Sequence, residues 1–197
     1  MKRLIVTSCL FLALSLTTQA QIFKLGLKGG VNYANQNGTA ITVNNKNYKT
    51  EAITNYHIGL LAEVNLGKRF SIQPEILYSK QGSTYTGNIP GFFRTKLDYI
   101  SLPVEGKFKI TEKISFEAGP QLGILMSSRL KTNNSNLKIE GLKTLDFAIN
   151  AGLQYNINKG AFVQGRYVFG LTDTGLSGNS NNRNTNSVIQ LSIGYLF

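Results

Sequence analysis

The sequence predicts an all-β fold: an eight-stranded antiparallel up-and-down transmembrane β-barrel. Three observations carry that prediction. After residue 21 the chain alternates apolar and polar residues with a period of two, and no segment is long and apolar enough for a membrane helix. The alternating stretches reach ten residues or more, whereas strands of soluble proteins usually have about five or six. Tight turns and long polar loops alternate along the chain, as in a barrel with one short-turn rim and one long-loop rim.

Each strand follows from its own alternation. The first, 22–33, sets Phe23, Leu25, Leu27 and Val31 on one face and Lys24 and Lys28 on the other. In 54–66, Ile58, Leu60, Ala62 and Val64 alternate with His57 and Glu63. After the Gly67-Lys68 turn, 69–81 opposes Phe70, Ile72, Ile76 and Tyr78 to Ser71, Gln73, Glu75 and Ser79. The fourth strand, 96–110, carries Ile100, Leu102, Val104 and Phe108 opposite Glu105 and Lys107. A turn near Thr111 leads into 112–127, where Ile114, Phe116, Ala118, Leu122 and Ile124 back onto Glu117. The sixth, 142–157, opposes Leu145, Phe147, Ile149, Leu153 and Tyr155 to Asp146. Asn158-Lys159 turns the chain into 160–172, where Val163, Tyr167 and Phe169 alternate with Arg166. The last, 187–197, presents Ile189, Leu191, Ile193, Tyr195 and Phe197.

The other links, 34–53, 82–95, 128–141 and 173–186, read as long polar loops; the last holds most of the Asn/Ser/Gly-rich run SGNSNNRNTNS. Pro74, Pro103 and Pro120 fall inside strands, and because proline cannot donate to a ladder they predict local bulges.

No charge interrupts these lists of apolar residues, which suits hydrocarbon. A soluble barrel would turn the same faces inward, and a lipocalin-like one would be expected to hold a tryptophan near its first strand; this chain has none. Aromatic residues gather at the short-turn end of the apolar face (Phe23, Phe70, Phe108, Phe116, Tyr155, Tyr195 and Phe197), where an interfacial girdle belongs.

The opening MKRLIVTSCLFLALSLTTQAQ pairs a basic start with a short apolar run and a small-residue cleavage site, the pattern of a secretory signal peptide over 1–20. Residues 21–197 would then form the barrel domain. A lipobox reading of Val6 to Cys9 leaves almost no apolar run before the cysteine. Cleavage after Ala20 removes Cys9, the sole cysteine, so stability must come from a closed sheet or a membrane rather than disulfides. The formal charge of +11 becomes +9 without Lys2 and Arg3. In an exported chain that favours anionic headgroups or polysaccharide over nucleic acid.

Several pieces in order, FSIQPEILYSKQG, LDYISLPVEGKFKI, FEAGPQLGILMSS, LDFAINAGLQYNI and GRYVFGLTD, resemble the Bacteroidetes outer-membrane β-barrel family often labelled PorT-like. The resemblance covers nearly the whole chain after the leader. It implies an outer-membrane barrel of eight strands and roughly 200 residues, with no particular chemistry. No motif here carries over the type IX secretion role of PorT itself. The final GYLF resembles the aromatic signal read by the barrel-insertion machinery, which assigns Tyr195 and Phe197 to that signal.

On the polar faces, Lys28, Glu63, Glu75, Glu105, Lys107, Glu117 and Arg166 form the candidate site, read as a structural ion-pair network centred on Arg166 in a narrow, side-chain-filled lumen. A paired-carboxylate hydrolase is the sharper alternative, but structural networks perturb carboxylates equally. His57, the only histidine, lies near the loop end of its strand with no serine partner visible from spacing; it reads as a lumen histidine rather than a catalytic one. One histidine and no cysteine after cleavage give no metal site, and no cofactor is expected. GLKGG at 26–30 precedes no helix and is no phosphate cradle. Asn37-Gly38-Thr39 and Asn133-Asn134-Ser135 match the glycosylation triplet, a frequent coincidence in Asn-rich loops.

Loop cations Lys46, Lys49, Arg94, Arg129, Lys131, Lys138 and Arg183 could meet lipopolysaccharide phosphates or a partner; for any one of them a solvated loop is the plainer reading. The sequence thus predicts a monomeric, non-enzymatic outer-membrane protein with a structural, surface-interaction or accessory role in secretion or envelope assembly. Its expected partners are outer-membrane lipid and lipopolysaccharide, the insertion machinery and a possible protein at the surface loops. A narrow channel or carrier is the alternative, and a lipid-modifying enzyme a distant third.

Overall fold

The computed structural model describes residues 23–38, 41–43, 46–86, 93–131, 135–139, 141–174 and 184–197. Eight long strands form the barrel: β1 (Phe23–Gly38), β3 (Lys46–Asn65), β4 (Phe70–Thr86), β5 (Phe93–Lys109), β6 (Ile114–Lys131), β8 (Leu145–Asn156), β9 (Ala161–Gly170) and β10 (Asn184–Leu196). Two short strands, β2 (Ile41–Val43) and β7 (Asn136–Lys138), extend β3 and β6. Every pairing is antiparallel, and β1 pairs with both β3 and β10, so the sheet closes on itself. Closure removes the exposed edge that lipid could not satisfy.

The three short turns fall where the sequence puts them. Asn158 Oδ1 accepts from the Gly160 and Ala161 amides, at 3.1 and 2.8 Å, and Thr111 Oγ1 accepts from those of Lys113 and Ile114. These side chains supply backbone partners that so tight a reversal leaves open.

The opposite rim differs from the sequence expectation. β1 runs on to Gly38, β3 begins at Lys46, β4 reaches Thr86 and β6 reaches Lys131, all inside the stretches read as loops. Residues there are mostly polar, with scattered apolar ones such as Ile53 and Tyr85, so no clear alternation announces them; ladder bonds and side-chain bonds hold them instead. Gln36 Oε1, for instance, accepts from Ser83, Tyr85 and Thr95 hydroxyls.

The prolines are also a correction. Register shifts occur between Ala52 and His57 on β3 and between Asp98 and Tyr99 on β5, away from all three prolines. Pro74, Pro103 and Pro120 each sit where pairing with the preceding strand is interrupted while the register continues unchanged on both sides. A missing N–H therefore costs one ladder bond without inserting a residue.

The apolar faces point outward. Leu60, Ile76, Leu153, Leu191 and Ile193 are more than half exposed, an apolar surface far beyond what a water-soluble monomer carries. The short-turn girdle is aligned across strands: Phe70 faces Phe108, and Phe108 faces Phe116. The interior is largely polar; its buried apolar residues include one cluster of Leu61, Phe162 and Leu196, another of Ala34, Ala148, Val168 and Val188, and the separate Leu77 and Leu97. The leader, Arg183, Thr39 and Asn133 lie outside the described residues, so both glycosylation triplets do in part.

Candidate functional site

Small barrels are filled by the side chains that point inward, and the register decides which of these meet. Glu117 on β6 and Arg166 on β9 are both registered with Gly152 on the intervening β8. A Cβ at Gly152 would lie 3.0 Å from Glu117 Oε1 and 2.5 Å from the Gly165 carbonyl. Having no side chain, Gly152 lets Arg166 reach over β8, and its Nε donates to Glu117 Oε1 at 2.9 Å.

The guanidinium then completes a hub. Nη1 and Nη2 donate to the two oxygens of Glu75 at 3.0 and 2.9 Å, a two-pronged pairing that suits the planar fork, and Nη1 lies 3.3 Å from Glu105 Oε1. Lys28 Nζ, also 2.8 Å from Glu75, donates to Gln164 Oε1, and Gln164 in turn donates to Glu117. Asn150 donates to Glu105 at 2.7 Å. The side chains of Arg166, Lys28, Glu75, Glu105 and Glu117 are wholly excluded from solvent.

Glu63 and Lys107 form a second centre rather than joining this layer. Lys107 Nζ lies 2.5 Å from Glu63 and also donates to Gln73 and Gln154. Gln73 donates to Glu75, which links the two centres. Three cations thus face four carboxylates, and Glu105 Oε2 has no hydrogen-bond partner among the described residues. Beyond Lys107 the short-turn mouth opens into a cavity of about 220 Å³ lined by Lys24, Lys109, Glu112 and Lys159 among others.

Toward the loops lies an array that sequence spacing does not reveal. His57 on β3 and Ser192 on β10 are both registered with Gly30 of β1, again a residue without a side chain. His57 Nδ1 lies 2.7 Å from Asn32 Oδ1, an acceptor, so Nδ1 donates; in a neutral ring Nε2, 2.8 Å from Ser192 Oγ, then accepts the hydroxyl proton. Serine, histidine and amide are bonded in the order of a hydrolytic triad. All three are buried, and Asn32 is further tied to Ser79 and Gln190. That is the environment of a packed network. Only the closure that brings β10 beside β1 could expose this pairing across 135 positions.

Asp146, nearer the loops, accepts from Asn186, which also donates to Tyr99. Tyr195 and Phe197 lie on the outward surface at the short-turn rim, ring centroids 5.4 Å apart. Among the described residues no cluster of histidine, cysteine or acid side chains could hold a metal ion. Arg94, Arg129, Lys131 and Lys138, read as loop cations, stand instead on β5, β6 and β7.

Comparison with known proteins agrees with this architecture. The sequence profile of the outer membrane protein beta-barrel domain matches residues 19–175. No curated protein matches the chain. Among solved structures, the attachment invasion locus protein Ail of Yersinia pestis aligns at 13% identity and a TM-score of 0.51, covering 88% of this chain and 98% of Ail. Neisserial surface protein A aligns at 8% identity and a TM-score of 0.51, covering 88% of this chain and 97% of its own. At these identities the likeness is one of fold.

Proposed function

The chain belongs to the outer membrane protein beta-barrel domain family, and from that premise we propose that it is a monomeric, non-enzymatic barrel with a closed lumen that works through its outer and loop surfaces. The observation that carries this reading is the Arg166 hub: a fully buried guanidinium within 3.3 Å of three carboxylates drawn from β4, β5 and β6. A carrier or channel would need a water-filled gap beside that layer, and its side chains have no solvent exposure. What remains for function is membrane integrity, surface interaction, or an accessory part in secretion or envelope assembly. The finer placement we propose is the PorT-like branch found in Bacteroidetes, on FSIQPEILYSKQG and the pieces that follow it. With it come a leader cleaved after Ala20 and a C-terminal insertion signal at Tyr195 and Phe197.

Conductance across planar bilayers tests the closed lumen. Wild-type protein is expected to give no single-channel steps; regular steps would replace this reading with the narrow channel. The triad-like array around Ser192 motivates one control: lipid A and phospholipid mass spectra should be unchanged by overexpression.

A further inference from the structure

Among the described residues, the outward strand faces toward the long loops carry charge unevenly around the barrel. The outward faces of β8, β9 and β10, all described, hold no charged residue, whereas β5, β6 and β7 oppose cation to cation. Lys96 faces Arg129 and Arg129 faces Lys138 in one row; Arg94 faces Lys131 in the next. Like charges directly opposite one another weaken strand pairing, so the free protein gains nothing from this arrangement.

A bulge produces it. Tyr99 pairs with Leu125 but Asp98 pairs with Ser127, leaving Met126 as an extra residue in β6. Up to Ile124 the even-numbered residues of β6 face outward; past Met126 the odd-numbered ones do. Without that insertion Arg129 and Lys131 would point into the lumen. Bulges commonly re-aim side chains in this way.

Among the described residues Asp98 is the acid on the outward faces of β5 and β6, and Lys80 engages it at 3.9 Å. Lys80 also lies over the rings of Tyr56 and Tyr78, at 5.3 and 5.9 Å from their centroids. Among the described residues no salt bridge joins Lys96, Arg129, Lys131 or Lys138 to a carboxylate. A cleft of about 100 Å³ opens between Lys80, Lys96, Asp98 and Arg129, room for roughly three waters at about 30 Å³ each. Immediately below it, toward the short turns, Ile100 faces Ile124 beside the exposed Met126, and the surface continues as apolar barrel wall.

We propose that this face binds a phosphorylated lipid of the outer leaflet, with its phosphate in the Lys96–Arg129 cleft and its acyl chains along Ile100, Ile124 and Met126. A cationic cleft directly above an uncharged apolar wall matches a ligand that is anionic at one end and hydrocarbon at the other. A soluble anion would use only the upper half of this surface. The proposal deepens the surface-interaction reading but does not depend on the lumen being closed.

Native mass spectrometry of the refolded mature chain in detergent, titrated with diphosphorylated lipid A, tests it. The double variant K96Q/R129Q is expected to bind about 30-fold more weakly, from two near-surface cations. The charge-keeping pair K96R/R129K and the turn control K68Q/K159Q should bind as wild type does. Heat-modifiable gel mobility reports folding of every variant. Equal affinity of K96Q/R129Q and wild type, or equal affinity for lipid A stripped of its phosphates, would overturn the proposal. So would displacement of the lipid by millimolar inorganic phosphate, which would identify a site for soluble anions. Conductance is unaffected by any of these outcomes, so failure here is separable from failure of the closed-lumen reading.

Discussion

Inside the barrel Arg166 meets three carboxylates within 3.3 Å, while on its outer wall Arg129 stands between Lys96 and Lys138 on adjacent strands. The same functional group therefore lives under opposite rules a short distance apart. In the lumen a charge without partners would carry its full desolvation cost, so Lys28, Glu75, Glu117 and Arg166 are tied to one another. On the outer wall the charges keep their solvent and can be left mutually opposed, where they stay available to something outside the chain. The difference teaches that internal pairing marks the charges that serve the fold, and its absence marks those free to serve binding.

Removing the central partner should break the comparison most sharply. Arg166→Met leaves Glu75, Glu105 and Glu117 buried against each other, and a loss of about 3–5 kcal/mol is expected from urea unfolding in micelles. An effect below 1 kcal/mol would mean that water reaches the lumen and that the two regions are not distinct. Next in size is Gly152→Val. Its side chain would collide with Glu117 and the β9 backbone, so a cost of about 1–3 kcal/mol should appear in the same titration. If Gly152→Val unfolds like wild type, Arg166 does not need the gap over β8.

Ser192→Ala removes one bond to His57 and should cost about 1 kcal/mol. A fluorophosphonate probe should leave wild-type Ser192 unlabelled. Labelling would turn the packed array into a reactive one and reopen the enzymatic reading. The smallest effect belongs to the outer wall: Lys80→Gln breaks a part-exposed pair with Asp98, and no more than about 1 kcal/mol should be lost. A larger loss would show that outer charges also hold the fold.

Much of the architecture was legible because membrane and lumen impose opposite polarity on alternating residues. Phe70, Ile72, Ile76 and Tyr78 against Ser71, Gln73, Glu75 and Ser79 state a strand, its faces and its length at once. The same alternation made Glu75, Glu105, Glu117, Lys28 and Arg166 recognisable as a lumen set. It was silent where residues are mostly polar, so the strand extensions around Gln36 and Thr84 read as loop. It did not reach Arg129 and Lys131, which read as loop cations; they continue β6, and a single extra residue at Met126 turns them outward. Spacing could not pair His57 with Ser192, since their meeting depends on β1 lying between β3 and β10.

By itself, then, the sequence determined an all-β chain with one lipid-compatible face, three tight turns and a lumen set of charges of both signs on the other face, because a period of two is a local property of neighbouring residues. Which charges touch was decided by the tertiary structure alone. Barrel closure sets which strands are neighbours, the ladder registers set which side chains share a level, and the glycines at positions 30 and 152 open the gaps through which His57 and Arg166 reach their partners. Those are relations between residues far apart in the chain, and they exist only once the sheet has closed.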